Sequence, residues 1–404
     1  MRLRPSSYVK ILATALSLAC LTAGLAGCAF FRAKPKPVVP VVAHIRELGQ
    51  KSPEFPAKHR KRKTGVYFAR ALHFKLTGVP GGLTALPRSG RSPASIAITE
   101  PDQRVLRVLR NRDGKRFGPA QEIKLSSRPG RLIAAALTGA TSTDLALAGD
   151  LKVLNAQEAK ISELHSGYTG LPFGTSSLVS GDFDGDGHAD LAGISVGMHL
   201  LSIVFGAGDG SFGRQADYPT GPIPAAVAAA DFNGDGRCDL AVVNRVANTL
   251  RIYLAGEKGV MQPLADRPTG RGADLIQAVD VNGDGKLDLV VSNRIAKSVS
   301  VFINDGFGGF AQRVDSKGPV GGFTAFVTGD FSGHGKVDLA GADPGARGVV
   351  LLLGDGKGAF TPGKIFKTGK SPAFLSAADL NGDGLSDLIV ADTSERKVSL
   401  LFGD

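Results

Sequence analysis

The chemistry this chain could do is concentrated in five nine-residue stretches rich in aspartate. In the first, Asp182-Phe-Asp-Gly-Asp-Gly-His-Ala-Asp190, carboxylates stand at positions one, three, five and nine as Asp182, Asp184, Asp186 and Asp190. Three others place Asn at position three: Asp231, Asn233, Asp235 and Asp239; Asp280, Asn282, Asp284 and Asp288; Asp379, Asn381, Asp383 and Asp387. Alternate side-chain oxygens, with a backbone carbonyl at position seven (His188, Arg237, Lys286 and Leu385), form a cradle for a hard cation. Glycines at positions four and six allow the positive φ that curls the chain around one point. Calcium suits this donor set, because it accepts about seven oxygens in loose geometry and water completes the shell; magnesium demands a tighter octahedron. The remaining stretch, Asp330-Phe-Ser332-Gly-His334-Gly-Lys-Val-Asp338, replaces two ligands with Ser and His and is expected to be empty. A transition-metal site through His334 lacks a second His or Cys nearby in sequence. An EF-hand would carry Glu at position twelve, where Gly193, Val242 and Val291 stand, so that helical motif is excluded.

These loops need elements that repeat with them, and their starts are 49, 49, 50 and 49 residues apart. Small apolar residues such as Ala225 to Ala230 precede each loop, and a buried-strand run such as Leu240-Ala-Val-Val243 follows it. A polar turn, a third strand such as Thr249 to Leu254, a Gly-rich hairpin and a fourth strand complete the period. Four strands in about 50 residues is the signature of a propeller blade. Two worn copies lie upstream, with degenerate loops at residues 136–144 and near 87–95, and Asn111 to Phe117 as the hairpin of the first unit. That makes seven units. The chain stops after a third strand at Leu400-Leu-Phe-Gly-Asp404, while Gly65 to Leu76 matches an unclaimed fourth strand. The sequence therefore predicts an all-β, seven-bladed β-propeller over residues 64–404 in which the N-terminal strand closes the last blade.

The repeated loop and hairpins such as Leu353-Gly-Asp-Gly-Lys-Gly-Ala-Phe360 resemble the FG-GAP and VCBS repeats of integrin α-subunit propellers and of many bacterial secreted proteins. The resemblance implies about four structural calcium ions, each stapling the first two strands of a blade on the rim away from the ligand-binding face. Cys238, at position eight of its loop, reads as a small buried residue and not a nucleophile.

Charge and targeting set the context. The formal charge of +11 resides in the N-terminal segment: residues 29–63 hold ten basic side chains against two acids, and residues 64–404 are formally neutral. No nucleic-acid partner is implied. Arg2, Arg4 and Lys10 precede an apolar run from Ile11 to Leu25, which is short for a membrane span and reads as a signal. It ends in Leu25-Ala26-Gly27-Cys28, which resembles a lipobox. Residues 1–27 are accordingly expected to be a lipoprotein signal peptide, Cys28 the lipidated N-terminus, and residues 28–63 a basic, Pro-containing tether. Cys20 leaves with the signal, so no disulfide can form within the mature chain. The expected location is the bacterial cell envelope, at the outer membrane if the host has one, facing the periplasm or the exterior. The membrane is expected to be reached through the lipid, and the propeller is expected to be a monomer.

Arg245, Arg294, Arg347 and Arg396 stand at comparable offsets in the turns between second and third strands, with Arg104 in the first unit. On the face opposite the acidic loops they are candidate ligands for an anionic glycan or an extracellular protein. There is no H-E-x-x-H, no pair of His residues at metal spacing and no Trp. The sequence reads as a non-enzymatic binding, adhesion or scaffold module. The competing reading is a propeller lyase or glycosidase acting on polysaccharide, with catalytic groups assembled across blades.

Overall fold

The computed structural model describes residues 68–403 other than 87–93, 112–116, 119, 130, 140–142, 148–151, 156–161, 167–170, 172–174 and 319–320. The chain divides into Met1–Lys36 and Pro37–Asp404, and every described residue lies in the second unit. The signal, Cys28 and the tether lie outside the described residues.

Seven antiparallel sheets form seven blades: residues 82–124, 132–166, 175–219, 224–268, 273–317, 325–367, and 372–403 with Phe68–Lys75. The second strands of blades 3 to 7, such as Asp239–Asn244 and Asp387–Asp392, are buried at every position. Their unbroken apolar runs fit strands covered on both faces by neighbouring blades. Outer strands such as Phe212–Pro219 are polar and largely exposed.

The core is not one mass but a series of layers. Each apolar cluster is shared by two adjacent blades. Phe183, Leu201, Val227 and Tyr253 join blades 3 and 4, and Ala228, Ile252, Leu289 and Phe302 join blades 4 and 5. Ile98, Phe117, Ile389 and Leu400 join blade 1 to blade 7. First strands of successive blades touch in a complete circle, blade 7 against blade 1 included.

Phe68–Lys75 pairs antiparallel with Lys397–Gly403, from Phe68 opposite Gly403 to Lys75 opposite Lys397, so the ring closes as the sequence predicts. Phe74 meets Phe117 of blade 1 edge-on at 6.3 Å, and Phe68 meets Phe366 of blade 6 at 5.0 Å. The worn units are also in place: Leu132–Ala135 and Asp144–Leu147 flank one degenerate loop, Gly82–Leu86 and Ser95–Glu100 the other, and Asn111 bridges Phe117. Blade 4 departs from the pattern. Its fourth strand is split into Met261–Pro263 and Arg267–Pro268, although Leu264 N–H still reaches the Ile252 carbonyl at 2.8 Å between them.

One buried cluster was not legible in the sequence. Arg107 on the third strand of blade 1, 2% exposed, pairs with the fully buried Glu100 at 2.6 Å and with Glu122. Its guanidinium and Glu100 both reach Thr77 Oγ1, at 3.2 and 3.1 Å. The segment leaving the closing strand is thereby tied to blade 1.

Candidate metal loops and the opposite face

In each aspartate loop the position-one carboxylate turns the chain by accepting two glycine N–H groups. Asp182 takes Gly185 at 2.7 Å and Gly187 at 2.9 Å, and those glycines sit at φ 81° and 87°. Asp231, Asp280, Asp330 and Asp379 repeat both bonds at 2.6–3.0 Å. Position three accepts the position-five N–H through Asp184, Asn233, Asn282 and Asn381. Position five accepts the N–H of His188, Arg237, Lys286 or Leu385 through Asp186, Asp235, Asp284 and Asp383. Backbone donors thus pre-shape the loop and turn side-chain oxygens inward.

Position nine does more than the sequence suggests. Asp190 is fully buried, and its two oxygens accept Phe183 N–H and Gly206 N–H, each at 2.8 Å. Asp239 binds Phe232 and Ala255 in the same way, Asp288 binds Val281 and Asn304, and Asp387 binds Leu380 and Gly403. This carboxylate latches the loop to the third strand. Halves of the latch persist where the other ligands are gone: Asp144 accepts the Leu137 and Thr138 N–H groups of its own loop in blade 2, and Ser95 Oγ accepts Asn111 N–H, just past the third strand, in blade 1.

Burial pushes the latch carboxyls up, against the pull of their two backbone N–H partners and with help from the neighbouring loop aspartates: to about 7 for Asp190 and Asp387, and to about 6 for Asp239 and Asp288. The unfolded value is 3.8, so between about pH 4 and pH 7 the folded state holds more protons than the unfolded state. In chelator, therefore, melting temperature should rise as pH falls from 8 to 5.5. A flat or falling profile in scanning calorimetry would mean that the N–H bonds alone keep these groups ionised.

Asp182, Asp184 and Asp190 bring oxygens within 4.8 Å of one another, whereas Asp186 lies outside that group. Arg214 caps the loop from the outer strand, 3.0 Å from Asp184. In the second loop Asp235 pairs with Arg237 at 2.6 Å, and in the third Asp284 lies 3.7 Å from Lys286, so a cation there must draw these carboxylates away. Loop 330–338 gathers a different set. His334 Nδ1 lies 3.6 Å from Asp330 and Nε2 3.4 Å from Asp338, and Nε2 is also 3.1 Å from the Gly354 carbonyl. The imidazole stands between Asp330 and Asp338, in the place of the third carboxylate that joins this group in the first loop. Cys238 is half-buried; desolvation pushes its thiol up to about 11, which keeps it protonated.

The repeats of the chain match a family model described as FG-GAP-like repeat over residues 182–242, 231–291, 280–340 and 330–390, together just over half of the sequence. The chain belongs to the FG-GAP-like repeat family. No curated protein matches it by sequence. Solved structures share the fold of this FG-GAP-like propeller. An Agrocybe aegerita lectin that recognises non-reducing terminal N-acetylglucosamine aligns at TM-score 0.53 and 17% identity, over 81% of this chain and 96% of the lectin. BBS1N, solved in complex with ARL6DN, aligns at 0.57 and 12%, over 83% and 97%. A functionally unknown protein from Desulfotomaculum acetoxidans DSM 771 aligns at 0.54 and 13%, over 76% and 91%.

At the other end of the FG-GAP-like propeller the arginine row separates into two positions. Arg245 and Arg294 open their turns, directly after the second strands, whereas Arg104, Arg347 and Arg396 close theirs in the left-handed region at φ 46–53°. The offsets are therefore not equivalent. Arg245 pairs with Asp274, and Arg294 approaches the same carboxylate at 3.8 Å. Arg396 donates to the Thr77 carbonyl at 3.2 Å, and Arg347 is exposed. Asp274, on the first strand of blade 5, was missed in sequence because nothing in its local pattern signals two cations arriving from different turns.

Proposed function

We propose that this FG-GAP-like chain is a lipid-anchored binding or scaffold module of the cell envelope, stapled by structural calcium and presenting its ligand face at the end opposite the loops. The observation that carries the reading is the division between the two ends. One end repeats the same carboxylate geometry blade after blade, which serves stability; the other varies its turns from blade to blade, as recognition requires. The donors of the four intact loops are oxygens on a pre-shaped turn, which fits calcium. Asp182, Asp184 and Asp190 would hold it in the first loop, and the corresponding Asp and Asn residues in the other three.

The solved relatives agree with a binding role, since one recognises a terminal sugar and another was solved with a protein partner. Exposed cations such as Arg347 favour an anionic ligand. A screen of the calcium-loaded mature chain on glycan arrays and in pull-downs tests this. Retention of an acidic glycan or a defined protein supports the reading, and turnover of a polysaccharide would replace it with an enzyme. Anchoring has its own test: Cys28→Ser should move the protein from the membrane fraction to the soluble fraction, and unchanged association would remove the lipid from the account.

A further inference from the structure

The turn-bearing end differs from one side of the ring to the other. Among the described residues, Met198, Val246 and Ile295 are 58–61% exposed, and each sits in the turn between the second and third strands of blade 3, 4 or 5. The equivalent turns of blades 6, 7 and 1 read Pro-Gly-Ala-Arg, Thr-Ser-Glu-Arg and Pro-Asp-Gln-Arg.

The three aliphatic turns form one surface, because each touches the inter-blade loop beside it. His199 accepts Thr220 N–H through its carbonyl and lies 3.1 Å from Ile223 N through Nδ1; the Ile223 carbonyl then accepts Arg245 N–H at 3.0 Å. Asn248 accepts Gly272 N–H at 2.7 Å, and Gly272 accepts Arg294 N–H at 2.8 Å. Ile295 lies over Gly272, where an added Cβ would come within 2.6 Å of its side chain.

Ile223 adds an independent sign. It is half-buried at φ 54°, a left-handed conformation that a β-branched residue rarely adopts, where the loops entering blades 5 and 6 have Gly272 and Gly322 at φ 73° and 80°. Glycine adopts that backbone without a Cβ penalty. An aliphatic side chain kept in a strained backbone beside three exposed ones indicates use by a partner.

Charge selects the partner. The turns and loops of this sector, residues 196–199, 220–223, 245–248, 269–272 and 294–297, contain Arg245, Arg271, Arg294 and Lys297 and no Asp or Glu. The carboxylate beneath them, Asp274, is 8% exposed and orients Arg245 and Arg294, which remain about half exposed and retain free donors. An anionic bilayer would also meet cations and aliphatics, but interfacial surfaces favour Trp and Tyr, and these turns have neither.

We infer that the turn face of blades 3 to 5 docks an acidic polypeptide segment whose apolar side chains seat on Met198, Val246 and Ile295 while its carboxylates meet Arg271, Arg294 and Lys297. This deepens the binding-module reading and rests on it. The probe is a random dodecapeptide library displayed on phage, selected against the calcium-loaded mature chain. Winning sequences should be enriched in Asp or Glu together with Leu, Ile or Phe. The corresponding synthetic peptides should bind Met198→Ser/Ile295→Ser at least about tenfold more weakly, lose affinity in high salt, and be indifferent to Glu395→Ala on the other side of the ring. Both variants are surface changes whose folding is checked by an unchanged melting temperature. Winners without acid enrichment, winners that bind the double variant as tightly, or no winners at all would overturn the docking face. Phosphatidylglycerol vesicles captured by the parent and not by the double variant would overturn it in favour of lipid. Peptides that bind elsewhere on the ring would sink this face alone, whereas the glycan and pull-down screen decides the binding-module reading separately.

Discussion

Stripping calcium from the mature chain is expected to lower its melting temperature by on the order of 10 °C. Among the described residues Cys238 is the one cysteine and it is free, so no disulfide shares the work there. In the first loop Asp182, Asp184 and Asp190 converge within 4.8 Å, and in every intact loop two neighbouring aspartates repel the position-nine carboxylate, which opposes the turn unless a dication sits among them. With an affinity of about 0.1 mM per site, calcium at about 1 mM stabilises by roughly 1.4 kcal/mol per loop through mass action. Four loops contribute on the order of 5 kcal/mol, comparable to the whole margin of a domain. At roughly 2 °C per kcal/mol for a large domain, the shift follows. Asp235→Ala should remove one loop's share in calcium and change little in chelator. Asp239→Ala should destabilise in both conditions by about 2 kcal/mol or more, because it also strands the N–H groups of Phe232 and Ala255 inside the protein. Equal effects of the two variants in chelator would contradict the separation of ligand from latch.

Removing the closing strand should have an equally large effect by another route. Deleting residues 64–76 leaves Lys397–Gly403 as an open edge and uncovers the cluster shared by blades 7 and 1. Leu72, Phe74 and Leu76 pack in or against that cluster, and at about 2 kcal/mol each their loss is roughly 6 kcal/mol before any ladder hydrogen bond is counted. The exposed edge also invites pairing with another chain. The truncated protein should therefore melt far lower and associate, and a synthetic peptide of residues 64–76 added in trans should restore both properties. A truncated chain that stays monomeric and melts like the parent would mean the ring does not depend on this closure.

Much of the fold was legible because its rules are local and repeated. A loop that recurs every 49 or 50 residues fixes the blade count, and a chain ending one strand short explains why an extra strand stands at the other end. What escaped the sequence depends on contacts between blades. Asp190 and its counterparts have a ligand's spacing, and only the third strand arriving beneath them shows that they also latch it. Arg245 and Arg294 look like members of one arginine row until Asp274, from an inter-blade approach, separates them from Arg347 and Arg396. His334 reads as a lost ligand in sequence; in space its ring occupies the cradle between Asp330 and Asp338. Met198, Val246 and Ile295 fall in turns that pattern reading passes over as polar, although comparing the same turn across blades would have singled them out.

Native mass spectrometry of the chain, after chelation and stepwise return of calcium, counts the ions that staple this propeller. Saturation is expected at about four ions per chain, falling by one in Asp235→Ala and unchanged in His334→Ala. Saturation at none, or at a number that Asp235→Ala leaves untouched, would contradict it.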